Sequence, residues 1–128
     1  MEAHVKLSIF SGTITHEELC SQLRFKADKK WSKGDLREGT SIKEKENGLM
    51  ISSKEKLDED LDAHINSLRD QIGLSLSSIK NIASIEGCDI QVSCAIYCKS
   101  EPSIFFDPES INWINNTGAS LDIDLYLV

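Results

Sequence analysis

Apolar and polar residues alternate in three segments of the chain, which is the pattern of a strand with one buried face. These segments are residues 5–9, 88–98 and 121–127. Residues 49–52 predict a further short strand. After Pro102, residues 103–106 predict an extended piece that folds back on the strand at 88–98.

Helices are indicated by capping residues and by apolar residues at helical spacing. Thr15 and Glu18 form a capping box for a first helix. The clearest helical pattern covers residues 57–72. Its apolar stripe consists of Leu57, Leu61, Ile65, Leu68 and Ile72. Asp107 followed by Pro108 opens a last helix as cap and first-turn proline.

The order of these elements, with strands and helices in alternation, predicts an α+β protein. Because the alternating strands have one covered face, we expect a two-layer sandwich whose mixed or antiparallel sheet carries its helices on one face. A ferredoxin-like arrangement is the first expectation for its topology. The chain of 128 residues has the length of one domain, and we expect residues 1–128 to form it.

Charge is distributed unevenly between the two halves of the chain. The net charge is −7, but residues 1–56 carry 11 bases and 9 acids whereas residues 57–128 carry 3 bases and 12 acids. Such asymmetry can mark a surface that meets a charged partner. Nucleic acid is not the expected partner, since phosphate binding requires a basic face.

The sequence gives no sign of a membrane or secreted protein. No apolar run is long enough to cross a membrane, and residues 1–12 lack the charged start, apolar stretch and cleavage site of a signal peptide. We therefore expect a cytoplasmic protein with no membrane partner.

Three cysteines in the segment 88–98 raise the question of a metal or redox site. Cys88, Cys94 and Cys98 share the parity of the isoleucine and valine residues there, so we expect them on the apolar face of the strand. Cys94 and Cys98 are separated by roughly 13 Å of strand rise, which is too far to bind one zinc ion or to form a disulfide. We interpret the cysteines as core residues and expect no metal and no cofactor.

Other candidates for chemistry are isolated. His16 and Cys20 lie one helical turn apart but lack an orienting third group and an oxyanion hole. The acidic run 58–62 lacks the pattern of a calcium loop, and it opens a helix whose dipole favours negative charge. Trp31, in the polar segment 25–48, has two open interpretations: it anchors this segment to the core, or it contacts a partner.

Four short motifs occur in order and together span nearly the whole chain. They are GTITHEELCSQL, WSKGD beginning at Trp31, LDEDLDAHINSL and the closing GASLDIDLYLV. In this order and spacing the chain resembles the bacterial domain-of-unknown-function 4279 family. The resemblance implies a small cytoplasmic α+β domain and supplies no catalytic residues to carry over.

Two functions fit these observations. The first is a non-enzymatic binding protein, an immunity protein that neutralises a basic toxin effector domain, because complementary charge suits an acidic inhibitor to a basic nuclease. Its predicted contact residues are Trp31, Glu59, Asp62, Asp70, Asp122 and Asp124. The alternative is an enzyme or small-molecule binder that uses a pocket near the 25–48 loop, with Asp35, His16 and Cys20 nearby.

Overall fold

A five-stranded sheet forms one layer of the protein in the computed structural model, which describes residues 1–128. Its strands are β1 (Glu2–Ser11), β2 (Lys29–Trp31), β3 (Asn47–Ser52), β4 (Cys88–Cys98) and β5 (Ser120–Leu127). Their order across the sheet is β2-β3-β1-β4-β5, so β2 and β5 form the two edges. β4 and β5 are parallel, and every other neighbouring pair is antiparallel. The sheet is thus mixed.

Four α-helices form the second layer. They are α1 (His16–Ser21), α2 (Leu61–Ile72), α3 (Leu76–Ala83) and α4 (Pro108–Thr117). The predicted N-caps are confirmed, since the Thr15 hydroxyl accepts the Glu18 N–H and the Asp107 carboxylate accepts the Ser110 N–H. None of these helices combines the length and the hydrophobicity that a bilayer-spanning helix requires.

The core lies between the sheet and the helices. The odd-numbered residues of β1 and the even-numbered residues of β4 are buried there. Cys88, Cys94 and Cys98 are among them and are free thiols, as the parity of the strand predicts. One cluster of 20 buried residues joins β1, β3 and β4 to all four helices. The predicted α+β sandwich is confirmed.

Three local expectations differ from the structure. The polar 25–48 segment predicts no strand, but β2 lies within it. Its residues form a strand by backbone pairing with β3 and not by burying alternate side chains, so the hydrophobic pattern does not indicate it. α2 begins at Leu61, where Asp60 caps it, so Leu57 precedes the helix and is exposed. Residues 103–106 form no strand. β1 and β5 already occupy both edges of β4, which leaves no place for them to pair.

The topology is not ferredoxin-like. A ferredoxin-like sheet is built from split βαβ units, in which another strand separates the two parallel strands. Here β4 and β5 are adjacent and parallel, and α4 connects them as an unsplit βαβ unit. The alternating pattern of the last strand predicts a buried face, but this is wrong for β5: Leu121, Leu125 and Leu127 are exposed and only Ile123 is partly buried, since β5 lies at the edge of the sheet. The alternation also does not specify which neighbour that strand joins.

Candidate functional site

The sheet has one face that is not part of the helix-covered core, and we call it the open face. It carries the even-numbered residues of β1 and β5 and the odd-numbered residues of β4. Successive side chains of a strand project to opposite faces of the sheet, so each strand that contributes to the core also presents side chains on the open face. Several side chains of β1, β4 and β5 on this face are charged or aromatic: Glu2, His4, Lys6, Phe10, Tyr97, Asp122, Asp124 and Tyr126.

The two oppositely charged halves of the chain contribute different strands to the sheet. Residues 1–56, with a net charge of +2, provide β1, β2 and β3, whereas residues 57–128, with a net charge of −9, provide β4 and β5. Only three carboxylates lie within ion-pair distance of a basic side chain: Glu17, Asp28 and Glu44. Asp122 and Asp124 of β5 are therefore not neutralised by an ion pair within the chain. Most of the other acidic residues of 57–128 lie in helices and loops.

Asp122 and Asp124 border a trough on the open face. The strand register forms two rows across β1, β4 and β5, namely Lys6–Ser93–Asp122 and His4–Ala95–Asp124. The small side chains of Ser93 and Ala95 lie at the centre of these rows, within the lining of a cavity of about 490 Å³. The Ser93 hydroxyl is buried without a hydrogen-bond partner. The trough thus has basic side chains on one flank and two carboxylates on the other.

An aromatic cluster lies beside these rows. The rings of Tyr97 and Tyr126 stack with their centroids 4.8 Å apart, and His4 meets Tyr97 edge-on at 5.5 Å. Both tyrosines remain partly exposed, by 37% and 45%. Tyrosine is enriched at binding hot spots, and its ring face attracts cations. This combination of rings and carboxylates suits a basic partner.

Trp31 lies at the opposite edge of the sheet from the two aspartates. Four strand spacings separate β2 from β5, which is about 19 Å. The Trp31 ring packs against Phe10, with centroids 5.9 Å apart, and covers Gly48 of β3. These contacts anchor β2 to the sheet. Trp31 therefore does not share a compact patch with Asp122 and Asp124.

A groove of about 920 Å³ lies beside Trp31 and corresponds to the alternative pocket near the 25–48 loop. Asp35 lines this groove, but His16 and Cys20 do not. His16 instead approaches the Glu17 carboxylate at 3.3 Å, and Cys20 packs against the core. The structure therefore does not bring the three residues of the alternative hypothesis together.

The remaining predicted contact residues lie away from the open face. Glu59 is exposed in the loop before α2, and Asp70 is exposed on α2 itself. Asp62 makes internal contacts, because one carboxylate oxygen accepts the Asp107 N–H at 3.0 Å and the Ser110 hydroxyl at 2.7 Å. Asp62 thus connects α2 to the start of α4.

Replacing Asp62 with alanine should destabilise the protein by about 2 kcal/mol, because both donors at the start of α4 lose a charged acceptor. Urea denaturation monitored by circular dichroism would measure this change. Asp70→Ala removes an equal charge from an exposed position of the same helix and should change stability by less than about 0.5 kcal/mol. Equal losses from the two variants would contradict the connecting role of Asp62.

The structure contains a serine–histidine pair that the sequence did not predict. The Ser53 hydroxyl lies 2.7 Å from Nδ1 of His64 and also accepts the Glu55 N–H. Burial lowers the pKa of His64, against the opposing effect of nearby carboxylates that include Glu55 and Asp60. Nε2 of His64 has no hydrogen-bond partner, so no carboxylate orients the ring as a catalytic base requires. The pair fastens the segment after β3 to α2.

The structure adds the trough to the sequence-based site. Alternation along β5 is enough to place Asp122 and Asp124 on one face, but only the pairing of β1, β4 and β5 brings Asp122 into a row with Lys6 and Asp124 into a row with His4. No group of three or more histidine, cysteine or acidic side chains is arranged to hold a metal ion. The arrangement favours binding of a charged surface.

A family model described as Domain of unknown function (DUF4279) matches residues 1–128, the whole chain. It is the family that the four sequence motifs resemble, so that prediction is confirmed. No curated protein and no solved structure matches the chain.

Proposed function

We propose that this chain, which belongs to the DUF4279 family, is a non-enzymatic protein that binds a basic partner protein. The basis of the proposal is the charge on its surface. The partner we propose is a toxin effector domain, which the chain neutralises as an immunity protein. One observation carries the proposal. Asp122 and Asp124 lie unpaired on the open face of an edge strand, within the half of the chain that has a net charge of −9.

Unpaired carboxylates favour binding through their field as well as through contacts. Complementary charge steers a basic protein towards an acidic surface and raises the association rate. The steering weakens as salt is added, because the Debye length falls from about 30 Å at 0.01 M to about 10 Å at 0.1 M ionic strength. Binding through the β4–β5 side should therefore be strongest at low salt.

The internal chemistry supports a binding role in the cytoplasm. The Ser53–His64 pair lacks an orienting group, and all four cysteines are free thiols. Free thiols fit a reducing compartment. We therefore propose a cytoplasmic location, where an immunity protein can meet an effector domain before that domain acts on the cell.

The alternative, a small-molecule binder, is favoured by one feature of the groove beside Trp31. The indole N–H of Trp31 is buried without an acceptor, and Trp31 lines this groove. A ligand that supplies an oxygen acceptor would satisfy that donor. Thermal stability measured across a panel of metabolites tests this alternative, and an unchanged melting temperature throughout the panel would contradict it.

Co-purification tests the proposed function directly. The probe is the C-terminal domain of the protein encoded immediately upstream, passed with the chain over a size-exclusion column at 50 mM and 500 mM salt. We expect co-elution at low salt and weaker co-elution at high salt, since exposed charges are screened. Separate elution at low salt would overturn the immunity proposal.

A further inference from the structure

We infer that the partner binds by adding a strand to the free edge of β5, and that this strand alternates basic with apolar residues. The inference rests on the proposed function, because it specifies how a basic effector domain meets the acidic side of the sheet. It follows from the direction of the backbone groups of β5, the exposure of its leucines and the positions of its aspartates.

The outer edge of β5 has free backbone hydrogen-bonding groups. Val128 donates its N–H to the Cys98 carbonyl. The backbone N–H and C=O groups of the even-numbered residues of this segment therefore point towards β4. Alternate residues of a parallel strand point their N–H and C=O groups to opposite sides. The backbone groups of the odd-numbered residues therefore point away from β4: Leu121, Ile123, Leu125 and Leu127. No hydrogen bond outside the sheet ladder involves these four residues.

The side chains of this edge are also exposed. Leu121, Leu125 and Leu127 are 41%, 51% and 81% exposed, although they lie on the same side of the sheet as the helices. Edge strands are commonly protected from pairing by charged side chains, proline or a bulge. The sequence of β5, SLDIDLYL, contains no proline, and its only charged residues are Asp122 and Asp124, which oppose an acidic strand but not a basic one. An eight-residue strand of this kind is a template for a further strand.

The two faces of β5 specify the residues of the added strand. Directly opposed side chains on neighbouring antiparallel strands have their Cβ atoms about 5 Å apart. On the open face, lysine or arginine of the partner would lie beside Asp122 and Asp124. On the other face, apolar side chains would cover Leu121, Leu125 and Leu127. The partner strand therefore has period-two alternation of basic and apolar residues.

A second copy of the chain is a poorer occupant of the same edge. In a two-fold antiparallel pairing of β5 with β5, the two registers of greatest overlap are centred on Ile123 and on Asp124. The first places Asp122 opposite Asp124 and the second places Asp124 opposite its own copy, and like charges directly opposite each other are destabilising. Charge complementarity thus favours a basic strand from a different protein.

A proline at position 125 tests the inference. The N–H of Leu125 points away from β4, so Leu125→Pro removes a donor from the outer edge while the bonds to β4 remain, and proline is tolerated at such edge positions. Leu125→Ala is the matched control, because it removes most of the same side chain but keeps the N–H. With the upstream-encoded C-terminal domain as the probe, isothermal titration calorimetry at 50 mM salt should show at least about tenfold weaker binding for Leu125→Pro than for Leu125→Ala.

Hydrogen exchange of the unmodified chain gives a second readout that does not depend on the folding of a variant. On binding, the amide protons of Leu121, Ile123, Leu125 and Leu127 should become protected, because each gains an acceptor on the added strand. Amide protons of exposed loop residues such as Glu59 should not change. Protection that is absent from these four residues in the complex would overturn the inference.

The outcomes separate the inference from the proposed function. If the unmodified chain does not bind the probe at low salt, the proposed function fails. If Leu125→Pro, folded as judged by circular dichroism, binds as tightly as Leu125→Ala, strand addition is wrong while the proposed function stands. A homodimer at micromolar concentration that dissociates in Leu125→Pro would instead assign the edge to a second copy of this chain and overturn the inference.

Discussion

Gly48→Ala is expected to lower the free energy of unfolding by about 3 kcal/mol, near the upper end of the cost of overpacking. A Cβ atom at Gly48 would lie 2.6 Å from Cε2 of the Trp31 ring and 2.7 Å from the backbone carbonyl oxygen of Ile9. The ring can rotate away only by leaving its place on Phe10. The carbonyl belongs to β1, the central strand of the sheet, and cannot move without shifting its pairing with β3.

Urea denaturation measures this loss, and Gly12→Ala provides the control. A Cβ atom at Gly12 would meet nothing within 4 Å, so this variant should stay within about 0.5 kcal/mol of the unmodified chain. Trp113 contributes a second fluorescence signal, so the emission of Trp31 is best followed in a Trp113→Phe background. If Gly48→Ala were as stable as Gly12→Ala, Trp31 would not be seated on β3 and the anchoring role would be wrong.

The second large effect is a loss of stability at alkaline pH caused by Cys94. Burial, assisted by the Asp122 carboxylate, raises the pKa of Cys94 to about 11 from an ordinary value of 9.0. Between these two values the unfolded chain releases the thiol proton while the folded chain keeps it. The contribution is therefore fully present below pH 9 and is lost as the pH rises, by about 2 kcal/mol at pH 11.

The comparison of the unmodified chain with Cys94→Ala isolates this effect from other groups that titrate in the same range. Urea denaturation at pH 8 and at pH 11 should show that the unmodified chain loses about 2 kcal/mol more than Cys94→Ala. Cys20→Ala removes a partly buried thiol and controls for the general effect of that change. Identical losses in all three proteins would show that Cys94 is not held as a buried neutral thiol.

Features encoded by neighbouring residues could be predicted from the sequence. Thr15 and Asp107 cap their helices through donors three residues away, which a local pattern specifies. The burial of Cys94 follows from its parity within one strand. β2 could not be predicted in this way, because Lys29–Trp31 becomes a strand only through pairing with β3, about twenty residues away in the chain.

The candidate site was predictable only in part for the same reason. The shared face of Asp122 and Asp124 is a property of one strand, and the sequence indicated it. The role of Asp62 depends on contacts with Asp107 and Ser110, which are 45 and 48 residues away. The acidic character of Asp62 indicated a surface residue, whereas its hydrogen bonds connect α2 to the start of α4. The trough likewise depends on the order of strands, which alternation does not encode.

Charge and exposure alone do not explain why Asp122 and Asp124, and not Glu59 and Asp70, are placed at the centre of the proposed interface. Glu59 and Asp70 are also exposed, but they lie on the helix side. Asp122 and Asp124 combine exposure with a free backbone edge and with neighbouring tyrosine rings. A partner can therefore gain charge complementarity, strand pairing and apolar contact from one surface.

The most direct test of this account compares two neutralised variants with equal charge change. Asp122→Asn/Asp124→Asn removes two charges from the open face, and Glu59→Gln/Asp70→Asn removes two from the helix side. Dissociation constants for the upstream-encoded C-terminal domain are measured by titration calorimetry at 50 mM salt. We predict at least about tenfold weaker binding for the first variant and less than about twofold for the second. The reverse order, or an equal effect of both variants, would contradict binding through the acidic side of the open face.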